Sequence, residues 1–397
     1  MRAVEKELAR IESGVSDLIP RDGLIRKLER SVKTKNPLRV KLGIDPSAPH
    51  LTLGHSVPLR KMRLFQDLGH IGVLVVGDFT RLIGDPSGQC STRALMSAEE
   101  INRNMATYQE QAFKILDPKR TEIRYNSEWL GKLGFADVIA LSSKYTVARM
   151  LERDDFSKRF SANRPISILE FLYPLAQAYD SVAIHADIEL GGNDQRFNLL
   201  LGRDIQREYG QEPQVILTVP LLIGIDGVRS MSQTAGNYVG VSERPGEMFG
   251  KLLAIPDELV QDYFFYLTDV SYETVASLSP RDAKRKLASE IVVMYHGEEA
   301  AIRAQDEFDR VHIRHERPSE VSKVVIDRSL VKEDGLIWVV DLLQASGMVT
   351  SRAEAKRLIT QGGVRINDKR VATADLDLLF EPPLLIQIGK RSFAEAV

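Results

Sequence analysis

VKLGIDPSAPHLTLGH, residues 40–55, is the stretch whose reading decides the fold. The apolar run from Leu38 to Ile44 reads as a buried strand, and it breaks at Asp45-Pro46-Ser47, a turn signal. Gly54 and His55 then open SVPLRKMRLFQDLGH, whose apolar residues recur at helical period. Strand, polar loop and helix start is how an α/β protein builds a phosphate site. Backbone N–H groups and the positive end of the helix dipole face an anion there. Taken alone, the stretch reads equally well as an ordinary strand-to-helix turn with a surface histidine.

The surroundings repeat the pattern. From Leu38 to about Val219 the strand-like runs LRVKLGI, IGVLVVGDF, EIRYNS, VAIHADIEL and QVILTVPLL alternate with helical stretches, which predicts a parallel sheet wrapped by helices. Between Leu130 and Ala178 the pattern is helical and includes VARMLERDDFSKRF, an inserted connecting region suited to subunit contacts. MRAVEKELARIESG reads as a charged amphipathic helix rather than a secretion signal. The chain is helical again from Arg244 to about His315, and a polar linker then leads to a last unit with its own apolar pattern. The expected domains are 1–225, 226–318 and 337–397, with 319–336 as the linker.

Composition narrows the class. A chain of 397 residues with 43% hydrophobic and 27% charged residues can bury a large core and is globular in type. A net charge of −2 excludes bulk polycationic binding to nucleic acid but leaves room for a local basic patch. The lone cysteine, Cys90, cannot form an internal disulfide, which fits a reducing cytoplasm. Runs such as Ile71–Val76 are far too short to span a bilayer, so no membrane partner is expected. The seven histidines show no ligand spacing, and no protein-held metal is expected.

Four further segments carry chemistry. In GDFTRLIGDPSG (77–88), Asp85 is suited to hold an ammonium group and the glycines permit close backbone approach. In YPLAQAYD (173–180), Tyr173, Gln177 and Asp180 fall at i, i+4 and i+7, which puts three polar groups on one helix face. ELGGNDQRFN (189–198) runs from a strand through Gly191-Gly192 into a helix, with Asp194 placed to accept from ribose hydroxyls. DGVRSMSQTAGNYVG (226–240) is a polar loop bearing Ser232 and Thr234. Each is weak alone and reads as readily as a turn or a solvated surface.

In this order and spacing, the five segments resemble a class I aminoacyl-tRNA synthetase, and specifically the bacterial tyrosyl-tRNA synthetases. The resemblance extends over nearly the whole chain, including LGRDIQREYGQEPQV and RYNSEWL. It implies activation of L-tyrosine by ATP, with Mg²⁺ assisting, and transfer to tRNA by a homodimer. Asp85, Tyr173 and Gln177 match positions that grip the amino group of tyrosine, and Asp180 matches the acceptor for its phenol. Gln195 matches a contact to the carboxylate and α-phosphate. On the ATP side the matches are Asp45, Ser47, Gly54 and His55, followed later by Gly192, Asp194 and Met231. The catalytic positions implied are Thr52, His55, Arg93, Ser232 and Gln233.

The phosphate-handling signatures are altered. His-X-Gly-His appears as Thr52-Leu53-Gly54-His55, and Lys-Met-Ser-Lys-Ser as Ser230-Met231-Ser232-Gln233-Thr234, without either lysine. Arg81 stands where the family commonly has glycine; with Arg93 and Arg229 it is a candidate replacement, since a guanidinium grips phosphate oxygens bidentately. At the far end, Arg352, Lys356 and Arg357 form one basic helix face, and Lys369 and Arg370 add charge at a hairpin. Such a face suits a phosphate backbone. The segment resembles the small RNA-binding domain shared by a small-subunit ribosomal protein, pseudouridine synthases and this synthetase family. The fold class implied is α/β: a Rossmann-like parallel-sheet catalytic domain, then a helical domain and a small α+β RNA-binding domain. Two other readings stay open: a non-catalytic protein that holds tyrosine or tRNA, and an enzyme whose adenylate goes to another acceptor.

Overall fold

In the computed structural model the described residues are all but 1, 46–49, 85–102, 104–106, 315, 318–320 and 390–391. They divide into two units, residues 1–297 and 298–397.

The first unit is built on six strands: β1 (Asp17–Ile19), β2 (Arg39–Ile44), β3 (Ile71–Val76), β4 (Thr121–Tyr125), β5 (Ile188–Gly192) and β6 (Val215–Val219). Their order is β1-β6-β5-β2-β3-β4, and all neighbours run parallel except β1, which pairs antiparallel with β6. Helices cover the faces, so the inner strands are apolar almost throughout, as in Ile71–Val76 and Val215–Val219. Helix α1 (Arg2–Glu12), α2 (Arg21–Thr34) and α3 (Leu53–Asp67) come first. Helix α4 (Ile168–Ala183) starts at a capping box in which Ser167 N–H donates to Glu170 Oε1 at 2.9 Å. Helix α5 (Arg196–Glu208) follows β5.

Two charges interrupt this apolar pattern. Lys41 on β2 lies in register with Glu189 on β5, and the two pair at 2.8 Å with essentially no exposure. Lys41 Nζ also donates to the Gln177 carbonyl at 2.9 Å and to Ser181 Oγ at 2.8 Å. Every donor of the ammonium is therefore engaged, which is the condition under which a buried charge is tolerated.

One strand reading changes. VAIHADIEL is not one strand: α4 runs to Ala183, His185 takes φ 52°, and β5 begins only at Ile188. Val182, Ile184 and Ala186 are buried beneath a helix end, which mimics a strand's apolar density. Strand β1 had no signal in the sequence, being three residues long. The helices Pro245–Leu253, Val260–Leu267 and Pro280–His296 fall in the same unit as the sheet. Phe249, Tyr263 and Leu287 are fully buried, and Ser56 Oγ on α3 meets Tyr295 OH at 2.7 Å.

The second unit carries β7 (Ser322–Val324), β8 (Leu336–Trp338), α6 (Val339–Ala345), α7 (Arg352–Thr360), β9 (Val364–Ile366), β10 (Lys369–Arg370), β11 (Asp377–Leu379), β12 (Leu384–Ile388) and β13 (Ser392–Ala396). A five-stranded sheet runs β10-β9-β12-β13-β7, and β8 pairs with β11. Within 319–336, read as linker, Ser322–Val324 joins that sheet beside β13. Its polar residues hid a strand that lies at the sheet edge. The β9–β10 hairpin turns at Asn367-Asp368, both with positive φ (47° and 65°), as the tight turn demands. No helix among the described residues is long and apolar enough to cross a membrane.

Candidate active site

The chain order reverses at β2: one crossover leads to β3 and another to β5, on opposite sides. The crevice beyond the carboxyl ends of such strands is where open α/β sheets bind ligands. A cavity of about 400 Å³ opens there, between the ends of β2, β3 and β5, the start of α3 and one face of α4. Asp45 follows β2 directly and accepts from Tyr173 OH at 2.9 Å and from Thr80 Oγ1 at 3.3 Å. Gly77 makes that position available, since a Cβ there would lie 1.9 Å from Asp45 Oδ1.

The spacing in YPLAQAYD holds. Tyr173, Gln177 and Asp180 all line the cavity from α4. Asn198 on α5 donates to Gln177 Oε1 at 3.0 Å and to Gln195 Oε1 at 2.9 Å, tying two of the expected contacts together. Gln195 in turn donates to Asp194 Oδ2 at 3.0 Å. Asp180 is 4% exposed; its Oδ1 accepts from Trp129 Nε1 at 2.8 Å and its Oδ2 from Asn126 Nδ2 at 3.4 Å. Burial pushes this carboxyl up to about 7, against the pull of the Lys41 ammonium and of the Trp129 and Asn126 donors. A buried acceptor of this kind is suited to a hydroxyl donor deep in the site.

At the other side, α3 begins at Thr52, whose backbone N–H lies 3.1 Å and whose Oγ1 lies 2.8 Å from His55 Nδ1. Burial lowers the His55 imidazole to about 4, so it is neutral at physiological pH. With Nδ1 accepting from Thr52, the proton sits on Nε2, which is left to donate. Thr52 thus fills its position as the cap that aims His55. Gly54 and Met231 also border the cavity, as does Gly192, where a Cβ would meet Asp194 Oδ1 at 2.5 Å.

The family described as tRNA synthetases class I (W and Y) matches residues 33–312, and the S4 domain matches residues 337–376. The chain belongs to the tyrosyl-tRNA synthetase family of class I. It is 52% identical over 400 residues to the tyrosine–tRNA ligase of Thermotoga maritima, covering 98% of this chain and 96% of that one. It is 50% identical over 404 residues to that of Moorella thermoacetica, again covering 98% and 96%. The tyrosyl-tRNA synthetase of Archaeoglobus fulgidus, solved with L-tyrosine, superposes with a TM-score of 0.61 at 22% identity, covering 76% of this chain and 99% of that one. That likeness is one of fold.

The loop 226–240 folds on itself. Asn237, 3% exposed, donates to the Arg229 and Ser230 carbonyls (both 3.2 Å) and accepts from Ser232 N–H at 2.8 Å. Arg229 pairs with Asp226 at 3.0 Å, and Gln233 donates to the His50 carbonyl. Two backbone donors and these partners hold Asp226 near 2. Ser230 and Met231 line the cavity; Ser232 and Gln233 do not. Ser47, Asp85 and Arg93 lie outside the described residues. Among the described residues, no group of three or more His, Cys, Asp or Glu is placed to hold a metal ion.

In the second unit Ser351 caps α7 by accepting from Glu354 N–H at 3.2 Å. Arg352 and Lys356 both lie over the Trp338 ring, at 5.8 Å and 5.3 Å, and Arg352 pairs with Asp341 at 2.7 Å. Arg357 instead turns toward Glu354 at 3.8 Å. Lys369 and Arg370 are exposed on β10. Sequence reasoning missed Asn126, Trp129, Asn198 and Lys41. The one available signal was Asn126, a polar residue directly after a parallel strand.

Proposed function

We propose that the cavity activates L-tyrosine with ATP and that the chain passes the tyrosyl group to tRNA(Tyr). The observation that carries this reading is the α4 face. Tyr173, Gln177 and Asp180 reach one cavity at the sheet's switch point, opposite the start of α3. The phenol of tyrosine would donate to Asp180, and its ammonium would lie toward Tyr173 and Gln177. The amino-acid carboxylate would then face the ATP side at Gly54, His55, Gly192 and Asp194. One carboxylate oxygen forms a bond to the α-phosphorus, while the bond from that phosphorus to the bridging oxygen breaks and pyrophosphate leaves with the electron pair. The His55 Nε2–H and the first N–H groups of α3 are suited to stabilise charge on the phosphates. Mg²⁺ would arrive on the nucleotide's own phosphate oxygens, a mode that needs no dedicated protein cage. The terminal ribose hydroxyl of tRNA then attacks the acyl carbon and AMP leaves.

The second unit supports the tRNA step, with Arg352, Lys356, Lys369 and Arg370 offered to the phosphate backbone. A homodimer is supported by the inserted helices, which expose Phe135 (83%), Ile139 (56%), Phe160 (66%) and Ile168 (79%). The lone cysteine fits a cytoplasmic setting. The test is charging of tRNA(Tyr) transcript with labelled tyrosine by the purified protein. Acid-stable tyrosyl-tRNA formed at catalytic turnover supports the reading. Adenylate formed with tRNA left uncharged moves the reaction to another acceptor, and tyrosine binding with no adenylate leaves a binding protein.

A further inference from the structure

Adenylation moves negative charge onto pyrophosphate, and a site that catalyses it needs positive charge where that happens. The cavity's described lining contains three carboxylates, Asp45, Asp180 and Asp194, and only one lysine or arginine, Arg81. His55 adds no cation, because burial keeps it neutral. Ser230 brings no charge, and the Gln233 amide is turned onto the His50 carbonyl. Arg229 is engaged with Asp226 and does not line the cavity.

Arg81 is differently placed. It lies on the short turn Thr80–Leu82, just after β3. Its backbone N–H is anchored to the Gly77 carbonyl at 3.1 Å, and the preceding Thr80 bonds both Asp45 and Asn126. The turn is therefore fixed to the cavity's own polar groups. The Arg81 side chain is half-buried and makes no ion pair or hydrogen bond with any described residue. A half-buried guanidinium on the lining of a cavity that also holds carboxylates, with no partner among the described residues, is suited to an anion that arrives with the substrates.

We propose that Arg81 is the phosphate-gripping cation of this site: its guanidinium pairs with the anionic phosphate oxygens of ATP and stabilises the charge passing to pyrophosphate as the α-phosphorus–oxygen bond breaks. The inference rests on the adenylation reading above. It makes the loss of both signature lysines intelligible, because the positive charge enters from the β3 side of the cavity instead of from the 226–240 loop.

The test is tyrosine-dependent exchange of labelled pyrophosphate into ATP by the parent, Arg81→Met and Arg81→Lys proteins, with tyrosine affinity measured by calorimetry without ATP. No exchange by the parent would defeat the adenylation reading itself. With an active parent, Arg81→Met is expected to lose ~10²–10³-fold in exchange, the usual cost of one well-placed donor. Tyrosine affinity should stay within about twofold, and Arg81→Lys should recover part of the loss through its point charge. Exchange in Arg81→Met equal to or above the parent's overturns the proposal. Tyrosine affinity falling in step with exchange also overturns it, by placing Arg81 on the amino-acid carboxylate. Heat-denaturation curves that superimpose for the three proteins exclude misfolding as the cause of a loss.

Discussion

Asp180 is where the cavity controls an ionisation. Its carboxyl ordinarily titrates near 3.8 and is raised to about 7 in the folded protein, so the folded state retains a proton that the unfolded chain has lost. Stability therefore falls as pH rises from the unfolded value toward 7, and Asp180→Asn removes that slope. Binding runs the other way, because the ionised carboxylate is the better acceptor for a phenol. Tyrosine affinity is expected to weaken as pH falls below 7, by up to about tenfold per pH unit. In Asp180→Asn the profile should be flat and kcat/KM for tyrosine about 10–100-fold lower, the weight of a hydrogen bond to a charged group. Calorimetric titration between pH 6 and pH 8 reads the affinity profile, and pyrophosphate exchange reads kcat/KM. His55 contributes no break in this window, since it stays neutral down to about 4. That Tyr173, Gln177 and Asp180 share one face was legible because helical spacing alone puts them there. Asn126 and Trp129, which hold Asp180, were not, because a partner some fifty positions away leaves no periodic trace.

At the scale of elements, legibility followed burial. The strands 39–44, 71–76 and 215–219 stood out because parallel strands covered on both faces are apolar runs, whereas the edge strand 121–125 is half-buried throughout. Lys41 and Glu189 defied that rule, and no local pattern announces that two distant charges will meet in register. The helix end at 182–187 was misread because buried residues at a helix terminus look like a strand, whereas β1 and β7 were too short and too polar to register. In the second unit the basic helix and the hairpin bearing Lys369 and Arg370 were legible in the sequence. There the basic face divides: Arg352 and Lys356 share the Trp338 ring while Arg357 turns to Glu354. Replacing Arg352, Lys356 and Arg357 together by glutamine is expected to weaken tRNA binding at low salt. The slope of log affinity against log salt should fall by roughly 0.7–0.9 for each phosphate contact removed. Filter binding across a salt series reads it, with circular dichroism as the check on folding.

For the whole molecule, the proposed homodimer is tested at the exposed apolar residues between 135 and 169. Phe135, Phe160 and Ile168 are each more than half exposed, apolar surface of the kind a partner covers. Phe135→Asp with Ile168→Asp is expected to convert the proposed dimer into a monomer in sedimentation velocity, since two buried aspartates oppose association strongly. The relative from Thermotoga maritima covers 98% of the chain, and the family models match residues 33–312 and 337–376. The proposed tyrosine-binding face lies beside segments that depart from the signatures the sequence resembles, with Thr52 at the first and Ser230 and Gln233 at the second. The most direct measurement is exchange of labelled pyrophosphate into ATP by the purified protein, with tyrosine and with phenylalanine as the amino acid. Exchange that requires tyrosine and is at least ~10⁴-fold poorer in kcat/KM with phenylalanine is the predicted result, because the Asp180 acceptor would be left unpaired. No exchange above background with tyrosine, or equal exchange with both amino acids, would contradict it.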